Sequence, residues 1–131
     1  LGLLFVGMQF IQIDRTNPPV TGEIEAPHEV MTILRRSCFD CHSNETKWPW
    51  YSYVAPMSWL VAKDVRDGRR HMNFSQWKGY NAKQKKHKRK DCGELVEVGV
   101  MPLWFYLPLH SEAELSQDDI ALIVSWSKGE L

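Results

Sequence analysis

Residues 38 to 42 read Cys38-Phe39-Asp40-Cys41-His42. Two thiols and an imidazole within five residues support three kinds of chemistry. A Cys-x-x-Cys pair can cycle between dithiol and disulfide. It can supply half of a zinc site. With a histidine directly behind it, it can hold a c-type haem.

The spacing favours the third. Two thiols three residues apart can add to the two vinyl groups on one edge of a porphyrin, and the next residue then lies under the ring centre, where its imidazole can bind iron. A redox dithiol is expected beside a βαβ pattern, which the chain lacks. A structural zinc site wants four ligands, usually including a second Cys or His pair. Cys92 stands alone, and His71, His87 and His110 form no H-x₃₋₅-H pair. The expectation is one covalently attached haem c, with Cys38 and Cys41 as anchors and His42 as the metal ligand.

A second axial ligand could come from Met101, Met57, Met72, His71, His87 or His110. Met101 stands out because it follows a helical stretch and is fixed by Pro102. Met57 and Met72 lie at or near helix ends, where methionine is usually a core residue. His87 sits inside a lysine run and reads as a surface residue. His110 precedes an acidic loop.

Four aromatic residues follow the motif closely. Trp48, Trp50, Tyr51 and Tyr53 could wall the haem or bond its propionates, or they could form a loop mini-core. Pro49 could offer a carbonyl to the second nitrogen of His42, although an ordinary turn proline is the plainer reading. The run Lys83, Lys85, Lys86, Lys88, Arg89, Lys90 is either a solvated helix face or a docking face for an acidic redox partner. Nucleic acid is not an expected partner, because stacking or base-reading chemistry is missing beside the charge. Cys92 reads as a buried small hydrophobe or as an intermolecular thiol.

The elements that must position these residues are helical. "PHEVMTILRRSC" spaces Val30, Ile33, Leu34 and Ser37 along one face and predicts a helix over 28–38. Pro56 opens a second, ending near Gly68. Ser75 is the expected N-cap of a third, running to Val98 before Gly99 and Pro102. "MPLWFYLPLH" is interrupted by Pro102 and Pro108. Ser116 and Asp119 form a capping signature ahead of a terminal helix over 117–128.

With 131 residues the chain is the size of one domain. At 44% hydrophobic residues with six tryptophans it can bury a core. Net charge is zero, yet the distribution is uneven. Residues 63–90 hold eleven Lys/Arg against two Asp, and residues 91–131 hold eight Asp/Glu against one Lys. Such asymmetry can orient a protein towards a charged partner.

The opening "LGLLFVGMQFIQI" is apolar and shorter than the roughly 20 residues that cross a bilayer. Residues 1–13 read as the remnant of a signal or membrane anchor, with an uncleaved anchor preferred because no A-x-A-like site follows. Residues 14–27, rich in proline, read as a linker, and 28–131 as the folded domain. Either membrane reading puts the domain in the periplasm, outside the cytoplasm.

"SCFDCHSNETKWPWYSYVAPMSWLVAKDVRDGRRHMNFSQW", followed by "EVGVMPLWFY", resembles the small monohaem c-type cytochromes of the haem-binding domain family. The likeness covers residues 14–128, and its CHSNET-WPWY run is specific. It implies Cys38 and Cys41 as attachment sites, His42 as proximal ligand, Met101 as distal ligand, and an N-terminal membrane segment or signal. Leu103 departs from the family's more common "MPPW", and Cys92 is atypical.

The fold so implied is all-α, a cytochrome c-like single domain of about four helices with long loops. Helix 28–38 is expected against helix 117–128. The function implied is one-electron transfer between redox partners, with no enzymatic activity; a membrane respiratory or photosynthetic complex is among the expected partners. The competing class is a haem enzyme or gas sensor with an open or displaceable sixth ligand.

Overall fold

The computed structural model describes all residues 1–131 and is helical throughout, with no strand. Six α-helices occur: α1 (Gly2–Met8), α2 (His28–Ser37), α3 (Phe39–His42), α4 (Met57–His71), α5 (Ala82–Glu97) and α6 (Gln117–Ser127). Single 3₁₀ turns at Trp50–Tyr53, Phe74–Gly79, Leu107–Leu109 and Ser111–Ala113 punctuate the loops. The count exceeds four because α1 and α3 are short.

Helix α2 buries the expected stripe of Val30, Ile33, Leu34 and Ser37. Leu34 is fully buried, and removing such a side chain from water contributes about 1.5–3 kcal/mol. Around it the core gathers Ile24, Phe39, Met72, Phe74, Trp77, Val96, Ile123 and Trp126.

Helix α6 starts as its sequence predicts. Ser116 Oγ accepts from the Asp119 N–H at 3.1 Å, and Asp119 Oδ2 accepts from the Ser116 N–H at 3.0 Å. Asp119 also pairs with Arg36 of α2 at 2.7 Å, so α2 and α6 do meet. The main partner of α6 is nevertheless α5. Gly93 makes that contact possible, because a Cβ there would stand within bonding distance of Ser127 Oγ.

Two boundaries differ from expectation. Ser75 does not cap a long helix. It is fully buried in the 3₁₀ turn that sends Phe74 and Trp77 into the core, and its Oγ accepts from the Asn44 N–H at 2.8 Å. The cap of α5 is Asn81, whose side chain and that of Gln84 bond each other's backbone N–H at 2.9 Å. Gly68 does not end α4 either. It is buried inside the helix, which runs on to His71.

Residues 14–27 have no regular structure, but their backbone is bonded to the body. Ser75 O accepts from Thr21 and Gly22, Phe74 O accepts from Ile24, and Asn44 donates to Pro19 O. Ile24 is buried in the core. Helix α1 is exposed from Gly2 to Gly7, with Met8 half-buried. No helix is long and apolar enough to cross a membrane.

Candidate functional site

At Cys38 the backbone leaves helical geometry (φ −125°, ψ −30°), and the chain turns from α2 into the single-turn helix α3. Phe39 points into the core and stacks on Phe74 with ring centroids 5.4 Å apart. That anchor leaves Cys38 and Cys41, three residues apart, on the wall of a cavity of about 380 Å³. His42 completes the same wall.

The imidazole of His42 is held from behind. Its Nδ1–H donates to Gly68 O at 2.9 Å and Met72 O at 3.1 Å, which assigns the proton to Nδ1 and leaves the Nε2 lone pair free. Crowding by the surrounding protein lowers the pKa of His42 below its ordinary value, outweighing the two carbonyls, so the ring is neutral. The carbonyls come from Gly68 and Met72 and not from Pro49, so the plainer reading of Pro49 stands. Pro49 O accepts from Ser52 instead, at 2.6 Å from Oγ.

Gly68 is what brings the carbonyl within reach. A Cβ at that position would stand 2.4 Å from Cys41 O, so only glycine lets α4 lie directly against α3. Arg69 secures the following loop, donating to Ser43 O at 2.7 Å and to Thr46 Oγ1 at 3.0 Å.

Asp40 fixes the turn from its other side. Its Oδ1 accepts from the Lys47 N–H at 2.9 Å, and its Oδ2 accepts from Tyr106 Oη at 2.8 Å. Tyr106 lies in the loop that carries Met101, Pro102 and Leu103 onto the cavity wall. One carboxylate therefore ties the Cys-x-x-Cys-His turn to the methionine loop.

The rest of the wall is mostly apolar, with Met72, Leu95 and Val96, and Cys92 beside them. Asp64, Asp67, His71, Lys88 and Asp91 also border it. An apolar interior with a few convergent polar groups is what a cofactor site requires.

All three thiols are held in the protonated form. Burial is the leading cause in each case, raising Cys38 furthest and pushing Cys41 and Cys92 up to about 12. A reactive redox dithiol needs the opposite shift. No group of three or more His, Cys, Asp or Glu side chains is arranged to hold a metal ion. The residues do suit a large planar apolar group: two thiols on one edge, one imidazole nitrogen unengaged, and a thioether on the wall of the same cavity.

Of the expected site residues, Cys38, Cys41, His42 and Met101 share this cavity. Trp48, Trp50 and Tyr51 do not line it. Extended backbone at Pro49 (ψ 162°) and the 3₁₀ turn after it carry Trp50 and Tyr51 away. Trp50 is 73% exposed. Trp48 borders a separate depression with Ile13, Trp59 and Arg66. Tyr51 is buried, with its Oη 2.5 Å from His110 Nε2. Through His110, stacked on Tyr106 at 4.0 Å and 6°, it supports the cavity wall from behind.

Among the other candidate ligands, His71 and Met72 line the cavity. Met57, His87 and His110 do not. Met57 is exposed, and His87 lies 3.3 Å from Asp91 on the surface of α5. The roles of Gly68, Asp40, Arg69 and Tyr106 had no local signal, since each is defined by a partner more than five residues away. Tyr106 alone left a trace, as the tyrosine closing "MPLWFY".

The family model described as haem-binding domain matches residues 3–129. No curated protein and no solved structure matches the chain.

Proposed function

The chain belongs to the haem-binding domain family, and on that premise we propose that it is a monohaem c-type cytochrome carrying single electrons. Cys38 and Cys41 hold the haem through thioether bonds. His42 Nε2 is the proximal ligand and Met101 the distal one. The observation that carries the reading is the convergence of these four residues on one cavity, with His42 Nδ1 already engaged by Gly68 and Met72.

The haem supplies a one-electron iron couple, raised in potential by a thioether ligand. The protein's contribution is rigidity. His42 is fixed by two backbone carbonyls, and the Met101 loop is tied by Tyr106 to Asp40 in the turn that bears the anchors. With His42 and Met101 both held in place, a haem bound between them would have little to rearrange when its charge changes and would offer no open position to oxygen or peroxide. That combination suits a carrier and not an enzyme.

The apolar first 13 residues support a tether to a membrane, with the domain on its extracytoplasmic, periplasmic side. Redox proteins are the expected partners, including a membrane respiratory or photosynthetic complex. The charged groups around the cavity give such partners a polar rim.

The test is purification after co-expression with a haem-attachment system. The expected product gains the mass of one haem, keeps its Soret band after denaturation, and is low-spin and slow to bind CO. Met101→Ala should turn high-spin and bind CO readily. A wild-type mass without added haem, or Met101→Ala indistinguishable from wild type, overturns the reading.

A further inference from the structure

We infer that residues 50–60 form a second membrane contact, laying one face of the folded domain on the headgroup boundary of the bilayer that receives the N-terminus. The inference rests on reading residues 1–13 as a membrane segment and adds an orientation to it.

The first observation is continuity. Just after α1, Gln9 and Ala55 bond reciprocally: the Ala55 N–H donates to Gln9 Oε1 at 2.9 Å, and Gln9 Nε2 donates to Ala55 O at 3.2 Å. This pins the apolar start of the chain to the Val54–Pro56 corner. Beside that corner Trp50, Tyr53, Val54, Met57 and Leu60 are all exposed, at 38% to 73%. On the chain's other side of the clamp Phe10 and Ile11 are exposed too. Exposed apolar side chains that adjoin in this way mark a binding surface.

The second observation is the kind of apolar residue. Trp50 and Tyr53 combine a large ring with a polar tip, the pairing that settles at headgroup level. Arg15 lies over the Tyr53 ring at 4.1 Å and donates to Ser52 O at 2.9 Å, which sets a cation at the edge of the same patch. A cation bordering an aromatic surface suits anionic lipid. The third is geometry. Met57 and Leu60 share one face of α4 with Asp64 and Asp67, which border the cavity. At 1.5 Å per residue the cavity border stands roughly 15 Å along the helix from Met57. The cavity border is thereby held within roughly 15 Å of the patch, close enough for a partner embedded in the same membrane.

Nitroxide labels on the haem-loaded full chain test this, on vesicles of phosphatidylcholine and phosphatidylglycerol. The sites are Leu4→Cys, Met57→Cys and Lys86→Cys, with Tyr53→Cys should the Met57 variant not fold. Expected is an oxygen-over-nickel collision ratio several-fold higher at 4 and at 57 (or 53) than at 86 on the exposed side of α5. A label at 57 as nickel-accessible as that at 86, with 4 still embedded, overturns this inference alone. Labels at 4 and 57 both in water overturn it together with the membrane reading beneath it. Dipolar broadening between labels at 57 would show a second copy on this face and overturn it as well.

Discussion

Gly68 and Cys41 are in backbone contact across two helices: no side-chain carbon fits between the glycine and the cysteine's carbonyl oxygen, 2.4 Å from where a Cβ would sit. Alanine normally stabilises a helix interior over glycine by about 1 kcal/mol. Here the obstructing atom belongs to the backbone and cannot rotate away, so the clash should win. Gly68→Ala is expected to lose about 1–3 kcal/mol, the usual cost of overpacking. Denaturant unfolding measures it. A gain in stability would mean that α4 and α3 can separate freely.

Tyr106→Phe should loosen the methionine loop without touching a thiol or an imidazole. A hydrogen bond to a charged acceptor such as Asp40 is worth roughly 1.5–3 kcal/mol. A double-mutant cycle with Asp40→Asn should return a coupling above about 0.5 kcal/mol. Strictly additive effects would show that the 2.8 Å contact does not hold the two segments together.

Acid should weaken the α2–α6 junction through Asp119. The Ser116 N–H, first, and the Arg36 guanidinium, second, hold its carboxyl below the ordinary carboxylate range. The folded state therefore binds fewer protons there than the unfolded chain. The stabilisation is complete above the unfolded pKa of about 3.9 and is lost as pH falls through the folded value. Asp119→Asn should lower the unfolding midpoint at pH 7 and differ less from wild type near that acid limit. Ser116→Ala, which removes the cap, should cost about 1 kcal/mol. An equal deficit for Asp119→Asn at both pH values would exclude the linkage.

Electron exchange with an acidic partner should slow as salt is added. Lys83, Lys85 and Lys86 form no ion pair, and Lys88 borders the cavity. Steering by such a patch raises association rates by about tenfold or more, and the advantage disappears with screening. Lys83→Glu with Lys86→Glu should lower the low-salt rate toward the high-salt one. A rate flat across ionic strength would make the lysines a solvated face only.

The chemistry was easier to read from the sequence than the supports beneath it. Cys38, Cys41 and His42 fall within five residues, and the structure sets all three on one cavity wall. Ser116 with Asp119, and the stripe from Val30 to Ser37, are equally local patterns. Gly68 looks like a helix stop because glycine usually is one, whereas its role depends on Cys41, 27 positions away. Ser75 looks like a cap, but its hydroxyl is claimed by Asn44, and the Asn81–Gln84 box lies six residues further on. For the tryptophans and Tyr51 the sequence leaves a haem wall and a loop mini-core equally open, because aromatic side chains suit either. The extended backbone at Pro49 and the 3₁₀ turn after it carry Trp50 and Tyr51 off the cavity wall.

Arg69 spans the distance between the N-terminal segment and the turn that carries His42. Its guanidinium grips Thr16 O at 3.0 Å and Asn17 Oδ1 at 2.9 Å with one part, and Ser43 O, directly after His42, with another. Mechanical load arriving along residues 16–19 would thus be passed by Arg69, and by Asn44 through its bond to Pro19 O, to the two residues that follow the imidazole.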